Sequence, residues 1–199
     1  MLTKTEIKVL ELFTSKILSS FSIREISRLI NRDIKIVYTS VKSLIKKEFI
    51  TKNSHNLLCL NYKKNKQILA YIENIRKEDF FEKNNLIKIH LNNFLTKTKN
   101  HFFVLLIFGS YASGNAKKNS DVDLLLISPE LNQKFERELK ASLSTSIKKF
   151  DINVIDSESF REMLQKRDEF NVVNETFNNH IILQGAEQYY SLLGERDVN

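Results

Sequence analysis

The 199-residue chain is poor in the residues that brace or punctuate a fold: it has one cysteine, one proline and four glycines. A single thiol, Cys59, excludes an internal disulfide and a thiolate zinc cluster, and it suits a reducing compartment. So few glycines, with Pro129 alone as proline, predict a helix-rich chain with few tight turns. No apolar run reaches the roughly eighteen residues needed to span a bilayer. The opening MLTKTEIKVL lacks the apolar core and small-residue cleavage site of a secretory signal, so a soluble cytoplasmic protein without a membrane partner is expected. What is present is 42% hydrophobic residues, enough for one ordinary domain or two small ones, which excludes disorder throughout.

Charge is unevenly spread. The net +7 divides into +6 over residues 1–62, +5 over 63–100 and −4 over 101–199. A basic first half joined to an acidic second half predicts a polyanion partner for the first and carboxylate chemistry or plain solubility for the second.

Two capping boxes, Thr3 with Glu6 and Ser22 with Glu25, predict helix starts, followed by apolar positions at helical spacing: Ile7, Leu10, Phe13 and Ile17, then Ile23, Ile26 and Ile30. After the polar break Asn31-Arg32-Asp33, a third helix from about Asp33 to Lys47 buries Ile34, Val37, Val41, Leu44 and Ile45. Its outer face carries Lys35, Thr39, Lys42, Ser43, Lys46 and Lys47. Phe49–Thr51 and Leu57–Leu60 flank Lys52-Asn53-Ser54-His55-Asn56 and read as a β-hairpin. This order over residues 1–62 resembles the winged helix-turn-helix DNA-binding domain. The resemblance implies that the third helix enters a major groove of double-stranded DNA, with Lys35, Thr39, Lys42, Ser43 and Lys46 reaching phosphates and base edges and Lys52 and His55 on the wing. A homodimer reading paired half-sites goes with it. The competing reading of the basic face is solvated surface on a small helical bundle.

Residues 63–99 form a connector with apolar positions at helical spacing, from Ile68, Tyr71, Ile72 and Ile75 to Phe80, Phe81, Leu86, Ile87, Leu91, Phe94 and Leu95. No Gly or Pro interrupts it, which excludes a flexible tether. His90 and His101 have no ligand partner at a recognised spacing and read as structural or surface residues.

Chemistry gathers in residues 100–199. A buried-strand run, His101–Phe108, leads at once into Gly109-Ser110, a short helix, a polar stretch, and a second strand beginning Ser120-Asp121-Val122-Asp123. Glycine directly after a strand lets a phosphate approach the backbone, and Ser110 adds a hydroxyl and adjoining amides. Asp121 and Asp123, two apart, project from one face while Val122, Leu124 and Leu126 pack on the other. A third strand, Phe150–Ile155, is expected beside this one after a helix across 130–149, so that Asp151 completes a three-carboxylate cluster suited to divalent ions. Asp156 reads as a helix N-cap. Beyond it the chain is expected to return to helix through Phe160, Met163, Leu164, Phe170, Val173 and Phe177, then His180–Gly185 leading to Tyr189, with His180 packed or capping and 195–199 frayed.

Gly109-Ser110, ten residues, then Asp121-Val122-Asp123 resembles the nucleotidyltransferases of the DNA polymerase beta-like superfamily, most closely its minimal nucleotidyltransferase branch. Fusion to a winged helix is an architecture known among prokaryotic members. The resemblance implies an α+β protein: an N-terminal winged helix-turn-helix (1–62), a helical connector (63–99), and a C-terminal nucleotidyltransferase domain (100–199) with a small mixed sheet. It implies transfer of a nucleoside monophosphate from an NTP, with ATP favoured, to a protein or small-molecule hydroxyl. Gly109, Ser110 and Ser120 would bind the nucleotide, and Asp121, Asp123 and Asp151 would be catalytic and hold two Mg²⁺ or Mn²⁺ ions. Some relatives are antitoxins that modify a small helical toxin, which makes such a toxin a candidate partner. Many relatives carry Arg where this chain has Ser113; Lys117 and Lys118 replace its charge but not its fork geometry. A second reading stays open, in which a winged-helix regulator uses the C-terminal half only to sense nucleotide or to dimerise.

Overall fold

The computed structural model describes residues 1–98, 102–131, 133–144, 146 and 148–195. Both capping boxes form. Thr3 Oγ1 accepts from the Glu6 amide at the start of α1 (Lys4–Ser15), and Ser22 Oγ accepts from the Glu25 amide at the start of α2 (Ile23–Leu29), with each glutamate returning a bond of 2.7 Å. Helix α3 (Ile34–Lys46) begins on the Asp33 cap and buries Val37, Ser40, Val41 and Leu44. Short β1 (Ser20–Phe21) and the hairpin β2 (Ile50–Lys52) and β3 (Leu58–Leu60) make an antiparallel sheet in the order β1-β3-β2, with Thr51 opposite Cys59. Turns are more frequent than the glycine count predicts, because asparagine replaces glycine. Asn31, Asn56 and Asn65 hold positive φ, which a short polar side chain tolerates best after glycine.

The connector is two helices, α4 (Lys66–Lys83) and α5 (Asn85–Lys97). Periodicity alone suggested uninterrupted helix. Asn84 breaks it by turning its backbone amide to the Phe81 carbonyl and its side-chain amide to the Phe80 carbonyl at 2.9 Å.

The second sheet is mixed, in the order β6-β5-β4-β7, built from β4 (Val104–Phe108), β5 (Val122–Ser128), β6 (Phe150–Asp156) and β7 (Ile181–Gln184). β5 is antiparallel to β4 and parallel to β6 through the crossover helix α7 (Gln133–Leu143). Between β4 and β5 lies the single turn α6 (Gly109–Ala112), and after β6 come α8 (Ser157–Gln165), α9 (Val172–Thr176) and α10 (Ala186–Gly194). Both faces of the sheet are covered. Leu105, Ile107, Val122, Leu124 and Leu126 pack with α5 and α7, and Leu106, Phe108, Leu125 and Ile127 pack with α8 and α10. β7 corrects the expectation of helix there. Ile181-Ile182-Leu183 pairs with β4, and Gly185, at φ +79°, turns the chain where a Cβ would strike the Phe103 carbonyl. Phe170, expected on a helix face, is exposed.

One hydrophobic cluster runs from Val9, Leu10 and Phe13 of α1 through Leu69 and Ile72 of α4 to Phe160 and Tyr189. Beside it lies a buried polar network that sequence pattern does not reveal. On α4, Arg76 donates to Glu73 at 2.5 Å and to the His180 carbonyl. Tyr190 donates to Glu73 at 2.7 Å, and the His180 ring lies 3.3 Å from Glu73 and 2.8 Å from the Thr176 carbonyl. Burial pushes the Glu73 carboxyl up, but Arg76 and His180 hold it below the usual carboxylate range. His180 is thus the packed histidine expected. His101 and residues 196–199 lie outside the described residues.

Candidate active site

Phe108 ends β4 opposite Asp123 on β5, so the chain reverses at Gly109 directly over the carboxylate. Gly109 sits at φ +65°, and a Cβ there would overlap the Asp123 carboxylate, with Cγ only 3.0 Å away. Glycine is therefore demanded twice, by backbone and by space. The Ser110 amide donates to Asp123, which spends within the protein one of the donors expected to face a phosphate.

Parallel pairing of β5 with β6 sets Asp123 opposite Asp151, on the sheet face shared with Leu125 and Ile155. Burial, then the charges of Asp151 and Asp121, push the Asp123 carboxyl above its ordinary range, against the pull of the Ser110 amide. Asp121 precedes β5, and its Oδ2 meets Lys149 Nζ at 2.7 Å. That contact, with the further field of Asp151, raises the Lys149 ammonium above its usual range. The expected site is thus an Asp123–Asp151 pair with Asp121 drawn to a lysine. Among the described residues no three His, Cys, Asp or Glu side chains are gathered closely enough to cage an ion. The donor set nevertheless fits a divalent cation, because hard oxygens stand close enough for one to resist ionising. Lys149 was not singled out in the sequence; the signal that could have found it is its place two residues before Asp151, at the strand end that carries the carboxylates.

The loop after the Gly-Ser turn is held by its own hydroxyls. Ser113 donates to the Ser110 carbonyl at 3.1 Å, and Ser120 accepts from the Lys117 amide at 2.8 Å. Ser120 therefore shapes the loop that delivers Asp121.

On the first sheet's side, Lys35, Thr39, Lys42 and Lys46 share the exposed face of α3, and Lys52 is exposed on β2. Ser43 and Lys47 correct the expected face: both turn toward α1, where they bond the buried Glu6, Lys47 at 2.8 Å. Burial pushes Glu6 up, yet these bonds and the Thr3 amide hold its carboxyl down at about 2.

Residues 90–185 match the family described as Polymerase beta, Nucleotidyltransferase. The match contains Gly109-Ser110, Asp121, Asp123 and Asp151, and this stretch of the chain is a nucleotidyltransferase domain of that kind. A solved structure described as "Crystal structure of the toxin-antitoxin with AMP-PNP" is similar at 18% identity and a TM-score of 0.35, over 54% of this chain and 80% of that one. No curated protein sequence matches. No helix among the described residues is long and apolar enough to cross a membrane.

Proposed function

We propose that the chain transfers a nucleoside monophosphate from an NTP, ATP in the first instance, to an acceptor hydroxyl at the Asp123–Asp151 pair. The observation that carries this reading is the register that puts the two carboxylates side by side beneath a glycine whose missing side chain makes room for one of them. Asp121, Asp123 and Asp151 would hold Mg²⁺ or Mn²⁺, which when bound neutralises charge on the triphosphate and the departing pyrophosphate. Asp151, on the edge strand, accepts the acceptor's proton as its oxygen attacks the α-phosphorus. Gly109 keeps the backbone low over the site, and the Ser110 hydroxyl contacts phosphate. Lys149 would have to give up its contact with Asp121 for that carboxylate to serve as a ligand.

The first module is read with it as a winged helix-turn-helix on double-stranded DNA. Helix α3 presents Lys35, Thr39, Lys42 and Lys46 together, ahead of a hairpin bearing Lys52. An autoregulating antitoxin that modifies a small helical toxin would combine both activities. The ion pair of Asp121 with Lys149, together with Ser113 in place of an arginine, favours the second reading, a regulator that binds nucleotide without turnover. Mg²⁺-dependent pyrophosphate release from labelled ATP, with candidate hydroxyl acceptors, separates the two. Release that stops in Asp123→Asn and Asp151→Asn supports transfer; nucleotide binding with no release from any acceptor supports the sensor.

A further inference from the structure

Helix α3 is short of the side chains that read bases by paired hydrogen bonds. From Ile34 to Lys46 it holds no Arg, Asn, Gln, Asp or Glu, and Lys35 is the one cation on its first two turns. Thr39 donates its hydroxyl to the Lys35 carbonyl at 3.0 Å, so that proton is spent inside the helix. What the start of the helix exposes is hydrocarbon. Ile34, expected in the core, is 42% exposed, Ile36 52% and Tyr38 56%. By helical spacing Ile34 and Tyr38 lie along one flank of the row Lys35, Thr39, Lys42 and Lys46, and Ile36 lies along the other.

Residues 31–36 are exposed without a break, so the start of α3 stands clear of its module. The surroundings are cationic. Arg28, Arg32, Lys35, Lys42 and Lys46 are all exposed, and Asp33 is the one acidic residue in positions 28–46, its carboxylate accepting from the Lys35 amide at 2.8 Å. That setting decides what covers the apolar residues. A second copy seated face to face would set Lys35, Lys42 and Lys46 against their own counterparts. A duplex satisfies both parts of the surface, because its phosphates take the lysines and its major groove carries one apolar mark, the 5-methyl group of thymine.

We propose that Ile34, Ile36 and Tyr38 read thymine methyl groups in the major groove, which makes A·T-rich duplex the preferred target of the first module. This rests on the duplex-DNA reading above, to which it adds the base feature that is read and the side chains that sense it. The lysines supply affinity that any duplex satisfies, and the hydrocarbon between them supplies the preference.

The test is fluorescence anisotropy of the full chain, without NTP or metal, on labelled A·T duplexes of about twenty base pairs, two helical turns, against the same duplexes with uracil in place of thymine. Uracil pairs identically and lacks only the methyl. The expected result is binding at least about fourfold tighter with thymine, roughly what one buried methyl contributes, with equal salt slopes for the two duplexes. Ile36→Ala/Tyr38→Ala brings the ratio close to one at an unchanged salt slope, whereas Lys42→Ala/Lys46→Ala weakens both duplexes alike. Ile36→Ala alone, with its fold checked by thermal melting, shows the same direction if the double truncation disturbs the helix. Three results overturn the proposal: equal affinity for the two duplexes, a thymine preference that survives in Ile36→Ala/Tyr38→Ala, or a shift from dimer to monomer in that variant with the preference intact. Absence of any duplex binding at low salt overturns the duplex reading of the module itself, a different failure from binding that ignores the methyl.

Discussion

Asp123 and Asp151 stand directly opposite each other on parallel strands, and neither owes its position to a loop. Their separation is fixed by sheet geometry, so the metal-free protein carries two like charges that it cannot relax apart. The energetic consequence is testable. A carboxyl whose folded pKa is raised stabilises the fold below its unfolded pKa and loses that contribution as pH rises through the folded value. Asp123→Asn therefore removes a liability at neutral pH. Without metal, thermal melting should show the variant about 2 °C more stable at pH 7, with the gain vanishing toward pH 3, while transfer is abolished.

Gly109→Ala places a methyl on the Asp123 carboxylate at a backbone angle that alanine resists. The expected cost is about 1–3 kcal/mol in urea unfolding, with loss of pyrophosphate release. In Gly109→Ala/Asp123→Gly the side chain no longer meets a carboxylate, so the steric part of the cost is relieved while the backbone strain at φ +65° stays, and activity does not return.

Lys149→Ala removes the ammonium that holds Asp121 at 2.7 Å. Mn²⁺ binding, followed by electron paramagnetic resonance, should tighten because no resident cation has to be displaced. Unchanged or weaker Mn²⁺ affinity would show that Lys149 does not compete for the site.

Arg76→Met leaves Glu73 buried without its strongest partner. Breaking such a pair costs about 3–5 kcal/mol, whereas replacing both partners, Glu73→Leu/Arg76→Met, costs far less. Denaturant midpoints of the two variants measure the difference.

Lys42→Ala/Lys46→Ala on α3 should weaken duplex binding and flatten its log–log salt slope by about 1.8. Ser43→Ala should leave both unchanged, because Ser43 bonds Glu6.

Much of this architecture was legible in the sequence because it is local. Capping boxes set the starts of α1 and α2, strand alternation set the face of Asp123, and spacing linked Gly109 to Asp121 and Asp123. What escaped was decided by distant partners. Asn84 ends a helix that its own periodicity would have continued. Ile181–Gln184 is short and apolar, ambiguous between helix and strand until β4 offers it an edge. Ser43 and Lys47 look like outer-face residues until α1 brings Glu6 beneath them. Lys149 and the Glu73 network are invisible for the same reason: charged residues declare a partner only when the fold supplies one.

Helix α4 gives Leu69 and Ile72 to a core shared with α1 and α10, and Glu73 and Arg76 to the network around His180. The partition between the halves is thus also their mortar. A fragment beginning at residue 100 would bare Tyr189 and Tyr190 and take Glu73 and Arg76 away from His180. The half that carries the nucleotidyltransferase match has to be produced with α4 attached, and proteolysis ahead of Val104 should release an unstable product instead of a free domain.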